Sequence, residues 1–521
     1  MQFQKLRLLE DTKWVFIYLF ILALVIRLPY FFEAVIDWDE STFILFGQSI
    51  LDGNLPYTEL LDAKPPLLWT SFALFILVFG KTVVSIRLAG TICVALTAFM
   101  TYLIGCKIWD NKIGVISATL FTIVSALSPS GQAVMSEHIA LLPLMAALTL
   151  LITKENTLFN LFISGGLITT ASLIRLNLAY VAIAVGLSLL CSLPMNVHRE
   201  RKLILYRGLA YAFGGFWIVF LTVIPYLILR QEEIWWLGVV TTSFSYANLQ
   251  NTVFVTLSQE ITTIRQILLG QESIALLGMA ILVWLGGLLQ VFRIPIYWKR
   301  LDTFQQRSII LLFVTLIGIE ISLLKSGYFH PHYLIQFNAI ISLFAATLIN
   351  GLLSSRYGKV VTIFISLVFF IVFIHIGLKY GRLGYEIIHN HRILYGSAYQ
   401  IAEFIKQENT EHQPVLLLTD HLAYWLTNTK PLTPAMTHPS NLNKEFLLKA
   451  WFGEEASTAT ELSKILRQQP KFIIGEEVGS FFKKDTVQAY FNETLNLDYT
   501  FVKKTDDVEI YKRLTSASVG S

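Results

Sequence analysis

The stretch from Trp14 to Phe32 is almost entirely apolar and long enough to cross a hydrocarbon layer about 30 Å thick, which takes roughly 17–25 mostly apolar residues per helix. Similar runs recur as far as Leu378. No other feature restricts the fold so strongly. Composition agrees with it: 54% of the 521 residues are hydrophobic, only 15% are charged, and the mean hydropathy is +0.59. An ordinary soluble domain carries about 25% charged residues. A cleaved signal peptide does not fit the first run, which is too long and is followed by no small-x-small site.

Length and hydropathy place roughly eleven spans. They are Trp14–Phe32, Ser85–Cys106, Ile113–Ser128, Ile139–Thr153, Leu158–Leu173, Leu178–Leu193, Gly208–Leu229, Ile274–Phe292, Ile309–Leu324, Leu334–Leu353 and Val360–Leu378. Leu67–Phe79 is shorter, with Pro65-Pro66 before it and Gly80 behind, and reads as an interfacial or re-entrant helix. Lys and Arg in short loops set the orientation. One set of loops holds Lys5, Arg7 and Lys13, then Lys107 and Lys112, Lys154, the Arg199–Arg207 group, the Arg293–Arg307 group, and Arg356 with Lys359. The alternate loops are sparser, with Lys64, Lys81, Arg175, Arg230, Arg265 and Lys325. The bias keeps its sign at every alternation, so the N-terminus is expected in the cytoplasm and, with an odd span count, the C-terminal part outside. The net charge of +4 is small, and no basic block suggests nucleic acid. Cys93, Cys106 and Cys191 all lie in apolar runs, leaving no disulfide framework and no CxxC chemistry.

Past residue 379 the chain changes character. Val415–Thr419, Lys471–Gly475, Asp498–Val502 and Val508–Tyr511 read as short strands, and Tyr399–Gln407, Thr460–Gln468 and Thr486–Thr494 as amphipathic helices between them. The expected organisation is therefore an α-helical polytopic membrane domain over 1–379 and a small extracytoplasmic α/β domain over 380–521. The second part holds no phosphate loop or metal constellation, and His421 and His438 read as surface or capping residues.

Four polar features fall on the outer side of this topology. The first loop reads Asp37-Trp38-Asp39-Glu40 and later Lys64-Pro65-Pro66. A helix N-cap with acidic first-turn residues accounts for one of these carboxylates, but not for the return of the chain at Lys64. Ser136-Glu137-His138 opens a later span, where an ordinary interfacial Glu is the simplest reading. Arg175, with Asn177, lies between two spans, where a lone Arg usually snorkels. Tyr328-Phe329-His330-Pro331-His332-Tyr333 opens a late span, as an aromatic belt would. Each is weak alone; their shared side points to one polar site. Carboxylates facing cations at a lipid surface suit transfer of a group from a lipid-linked phosphate, with an Asp taking the proton of the attacking hydroxyl or amine and Lys or Arg stabilising the leaving phosphate.

The order Asp39-Glu40-x-x-Phe43, Lys64-Pro65-Pro66, Glu137, and then Gly165-Gly166 with Arg175 resembles the GT-C membrane glycosyltransferases, in particular the protein O-mannosyltransferase and aminoarabinose transferase branch. The likeness covers the first half of the chain well and the later spans loosely, and the C-terminal part looks like the appended domains of bacterial members. It implies Asp39, with Glu40 beside it, as the catalytic carboxylate; Lys64 and Arg175 as donor-phosphate contacts; and His332 and Tyr333 as further contacts. Glu137, where the family usually carries Asp, would be a second acidic residue serving the acceptor or, with Asp39, a divalent cation such as Mg or Mn. The implied reaction is inverting transfer of one sugar from an undecaprenyl- or dolichyl-phosphate carrier to a lipid, glycan or protein acceptor in a bacterial inner membrane. Two other classes compete. A transporter or flippase would show internal repeats and ionisable groups in mid-span, whereas no repeat is visible and Glu320 and His375 stand alone; an inactive scaffold would not need the Asp-Glu and Lys-Pro-Pro set.

Overall fold

The structure, a computed structural model, describes residues 12–191, 198–247, 253–270, 273–325 and 329–514; Lys5, Arg7, Gly327 and Tyr328 lie outside them. Each apolar run forms a helix, the conformation that satisfies every backbone polar group within its own segment in lipid. Among the described residues, eight helices are long and apolar enough to cross a membrane: Thr12–Phe32, Val83–Ile108, Ser136–Thr153, Lys202–Ile228, Ile274–Arg300, Thr303–Lys325, Pro331–Leu353 and Gly358–His389. The expected spans near 113–128, 158–173 and 178–193 are the shorter apolar helices Asn111–Leu127, Leu158–Ile174 and Leu176–Leu190. An amphipathic helix, Val253–Leu268, was not foreseen.

The chain folds as two compact units. The first takes Met1–Phe31, Ile86–Thr222 and Leu249–Tyr385; the second takes Phe32–Ser85, Val223–Asn248 and Glu386–Ser521. Two excursions from the first half of the sequence, Phe32–Ser85 and Val223–Asn248, thus fold with the second unit.

In the first unit, small residues let helices approach closely, as apolar bundles in lipid require. A Cβ on Gly165 would come within 2.0 Å of the Tyr211 carbonyl oxygen, and one on Gly214 within 1.9 Å of that of Phe162. Arg27, 1% exposed, ends the helix Thr12–Arg27 and binds the turn that leads into Ser136–Thr153. Its Nη1 donates to the Gly131 carbonyl, its Nη2 to the carbonyls of Gln132 (3.0 Å) and Ala133 (3.1 Å), and its Nε to Thr91 Oγ1 (3.2 Å). Those carbonyls belong to no helix ladder, so the guanidinium supplies hydrogen bonds that the turn cannot make for itself.

The second unit is built on a four-stranded sheet of order β1-β2-β4-β3: β1 (Val415–Leu417), β2 (Phe472–Glu476), β3 (Tyr499–Thr505) and β4 (Val508–Arg513). β1 and β2 are parallel, and the other pairs are antiparallel. The helices Ser397–Glu408, Thr458–Arg467 and Asp485–Asp498 match the expected amphipathic segments, and Leu416, Met436, Leu462, Ile473 and Phe491 form part of the core. The first excursion is stitched to this domain by backbone pairing. Ala34 N donates to Tyr395 O (2.8 Å), Tyr395 N to Phe32 O (3.0 Å) and Leu61 N to Pro434 O (2.9 Å). Within the excursion, helix Trp38–Leu51 packs on helix Pro66–Phe79, with Phe46 stacked on Trp69 at 3.9 Å. Pro66 opens the latter helix, where its missing N–H costs nothing, and Gly80, at φ 97°, ends it.

Arg27→Met should lower the stability of the purified protein by at least about 2 kcal/mol, because it orphans several buried carbonyls. The thermal midpoint in detergent reports this, with the exposed Arg356→Met as control; equal midpoints for the two variants would contradict it.

Candidate active site

The first-loop carboxylates divide their work. Asp37 is the N-cap of helix Trp38–Leu51 and accepts from Asp39 N at 2.9 Å. Glu40 is buried at 2% exposure. Asp39 faces Lys64, with Nζ to Oδ2 at 2.8 Å, and the ammonium also lies 5.3 Å from the centre of the Phe43 ring. Lys64 N is held by Asp62 Oδ1 at 3.2 Å, just before Pro65-Pro66 starts the next helix. The Asp-Glu segment and the Lys-Pro-Pro segment thus meet within the second unit.

The C-terminal part completes this cluster. His438 Nε2 lies 3.6 Å from Asp39 Oδ1. Its Nδ1 accepts from Ser440 N at 3.1 Å and contacts Ser440 Oγ at 2.8 Å, which assigns the ring proton to Nε2, on the side of Asp39. The Trp38 ring meets the imidazole edge-on at 6.3 Å. Lys444 Nζ donates to Asn441 Oδ1 (3.0 Å), and Asn441 Nδ2 to Asp62 Oδ2 (3.2 Å). Burial lowers the Lys444 pKa below the usual lysine range, against the pull of Asp62 and Asp39. Burial likewise lowers the His438 pKa to about 3, opposed by Asp39 and assisted by Lys444, His421 and Lys64. His438 and His421 are thus not surface residues. His421 is 2% exposed, and its side chain caps no helix.

The remaining expected residues gather in the first unit. Glu137 is fully buried in the first turn of Ser136–Thr153, and Arg175 ends Leu158–Ile174; each charge sits at the helix end whose dipole favours it. Arg175 Nη1 meets Glu137 Oε1 at 2.8 Å and Ser136 Oγ at 2.9 Å, and its guanidinium lies 4.2 Å from the centre of the Tyr333 ring. His332 Nε2 is 3.6 Å from the same Glu137 oxygen and stacks on His330. Asn177 Nδ2 joins Ser322 Oγ (2.9 Å) and Gln336 Oε1 (3.1 Å). Glu137, Arg175, His332 and Tyr333 therefore form one contact set, with Glu137 as counter-charge to the arginine.

Asp39 and Glu137 are the carboxylates expected to serve a divalent cation. Each carboxylate is already faced by a protein cation, and among the described residues no three His, Cys, Asp or Glu side chains gather where they could hold a metal ion.

His421 and His438 stay neutral in the folded unit down to about pH 3, whereas an unfolded histidine takes up a proton near pH 6.5. Between those values unfolding binds protons, so the stability contributed is complete above about pH 6.5 and is lost progressively as the pH falls. The thermal midpoint should drop from pH 7 to pH 5, and His421→Gln should flatten that slope; a flat wild-type profile would refute the assignment.

No family model matches the chain, and no curated protein matches it by sequence. Among solved structures it is similar to ArnT from Cupriavidus metallidurans bound to undecaprenyl phosphate, with a TM-score of 0.62 and 14% identity over 97% of this chain and 99% of that one. It is also similar to the archaeal oligosaccharyltransferase AglB from Archaeoglobus fulgidus in complex with an inhibitory peptide and a dolichol-phosphate, with a TM-score of 0.54 and 11% identity over 99% of this chain and 75% of that one. At these identities the likeness is one of fold. The chain is an integral membrane protein with the GT-C fold of membrane glycosyltransferases, carrying a small α/β domain in its C-terminal part.

Proposed function

We propose that the chain is an inverting glycosyltransferase that moves one sugar from a polyprenyl-phosphate carrier, undecaprenyl or dolichyl, to a lipid, glycan or protein acceptor. The reaction would take place at the outer face of a bacterial inner membrane, with the N-terminus in the cytoplasm and the C-terminal domain outside. One observation carries the reading: Asp39 and Lys64 meet at 2.8 Å in a chain whose fold is shared with proteins solved with undecaprenyl phosphate and dolichol-phosphate.

In this reading the donor phosphate draws Lys64 away from Asp39. The freed carboxylate takes the proton of the acceptor hydroxyl or amine as that group attacks the anomeric carbon from the face opposite the phosphate. The new bond to the acceptor forms as the bond from the sugar to the phosphate oxygen breaks, and the electron pair leaves with the polyprenyl phosphate, where Lys64 meets the charge. His438, through Nε2–H, steadies the second Asp39 oxygen. Arg175, His332 and Tyr333 offer the donors of a phosphate contact, and Glu137 balances the buried arginine. Glu40, at 2% exposure, supports the segment rather than reaching substrate.

The test uses purified protein, a polyprenyl-phosphate sugar and a membrane extract as acceptor. Asp39→Asn should lose transfer by about 10²–10⁴-fold while keeping its thermal midpoint, and His438→Gln should lower kcat by less, with little change in KM. Undiminished transfer by Asp39→Asn would remove the assignment of the base. Movement of the lipid between leaflets without consumption of the linked sugar would favour a flippase.

A further inference from the structure

At the end of helix Ser136–Thr153 opposite to Glu137, the first unit carries a second polar site that the proposed reaction does not use. The helix has 18 residues, which puts roughly 27 Å between its ends. Here a cleft of about 530 Å³ is lined by Glu155, Asn156, Thr157, Leu158, Leu203, Arg207 and Arg307. Arg207 reaches it from helix His198–Ile228 and Arg307 from the start of Thr303–Lys325, so two helices distant in sequence each bring a guanidinium to one place. The cleft also includes the start of Leu158–Ile174, where the N-cap Thr157 accepts from Asn160 N at 3.2 Å and the N–H groups of Leu158 and Phe159 have no helical acceptor.

Among the described residues, neither guanidinium donates a hydrogen bond or meets a carboxylate, although Glu155 lines the same cleft. Arg207 Nε is shielded from solvent and has no acceptor. A buried guanidinium donor without a partner is costly, and one anion reaching both arginines and the helix start would satisfy all of them at once. The surroundings say what that anion is attached to. Leu158, Phe159, Leu203 and Tyr206 are all exposed, Phe159 at 71%, on helices of a membrane-embedded chain. Apolar side chains in that position face acyl chains, and basic pockets between membrane helices hold lipid headgroups.

We propose that this cleft binds the phosphate of an anionic lipid headgroup, held by Arg207, Arg307 and the first turn of Leu158–Ile174, in the leaflet opposite to Glu137. The site is independent of the sugar-transfer reading.

Native mass spectrometry of the delipidated full-length protein tests it, with phosphatidylglycerol or phosphatidylcholine added in detergent and inorganic phosphate in a third arm. The wild type should retain phosphatidylglycerol in preference to phosphatidylcholine, and Arg207→Gln/Arg307→Gln should retain about tenfold less of it. Arg307→Gln alone, at an exposed position, should show part of the loss and covers the case in which the double variant fails to fold. Equal phosphatidylglycerol retention by wild type and a folded variant would overturn the site. Stabilisation by inorganic phosphate without lipid retention would overturn the lipid assignment.

Discussion

A charge inside an apolar bundle must be answered by another group of the protein, and this requirement organises the polar parts of the first unit. Glu137 and Arg175 are both withdrawn from solvent and lie 2.8 Å apart, at helix ends whose dipoles favour them. Removing either partner would leave an uncompensated charge, which is far more costly than never having had the pair. The same logic applies to Arg27, whose guanidinium is taken up by three consecutive backbone regions of one turn. These contacts fix the start of helix Ser136–Thr153, and with it Glu137, Arg175 and the His332–Tyr333 corner.

The second unit reaches a comparable arrangement by another route. Its cluster draws on two stretches far apart in the chain, one carrying Asp39, Asp62 and Lys64 and the other His438, Asn441 and Lys444. Five of these six side chains are ionisable, and each is placed against a group of opposite charge or a hydrogen-bond partner. The C-terminal domain is therefore more than an appendage: it supplies the imidazole that faces the carboxylate.

Much of this was legible in the sequence, for reasons that differ by element. Apolar runs announce helices by length and composition alone, so every expected span has its helix. The four strands and three of the helices of the C-terminal domain were visible in period and turn residues, whereas the short helices Leu422–Thr427 and Glu445–Phe452 were not. The return of the chain at Lys64-Pro65-Pro66 was visible in the sequence, but the 2.8 Å contact between Lys64 and Asp39 was not. His438 was not legible, because a lone His in a polar segment acquires meaning only from the side chain that packing brings opposite it. The contact between Glu137 and Arg175 was not legible for a related reason: the resemblance gave each a role of its own, and only packing brings the two side chains to 2.8 Å. The amphipathic helix Val253–Leu268 escaped because its hydropathy lies between that of a span and that of a loop.

The stitching of the first excursion onto the last third of the chain has a temporal consequence. Thr42 Oγ1 donates to the Thr437 carbonyl across a separation of 395 residues. At ribosomal rates of about 5–20 residues per second, roughly 20–80 s pass between the synthesis of those two residues. For most of that interval the segment before the Asp39 helix lacks its backbone pairing with Tyr395, and throughout it Asp39 lacks its imidazole neighbour. The contacts of the acidic loop with Lys64 and with helix Pro66–Phe79 are available early in synthesis, whereas its hydrogen bond to Thr437 and the approach of His438 wait for the last third of the chain.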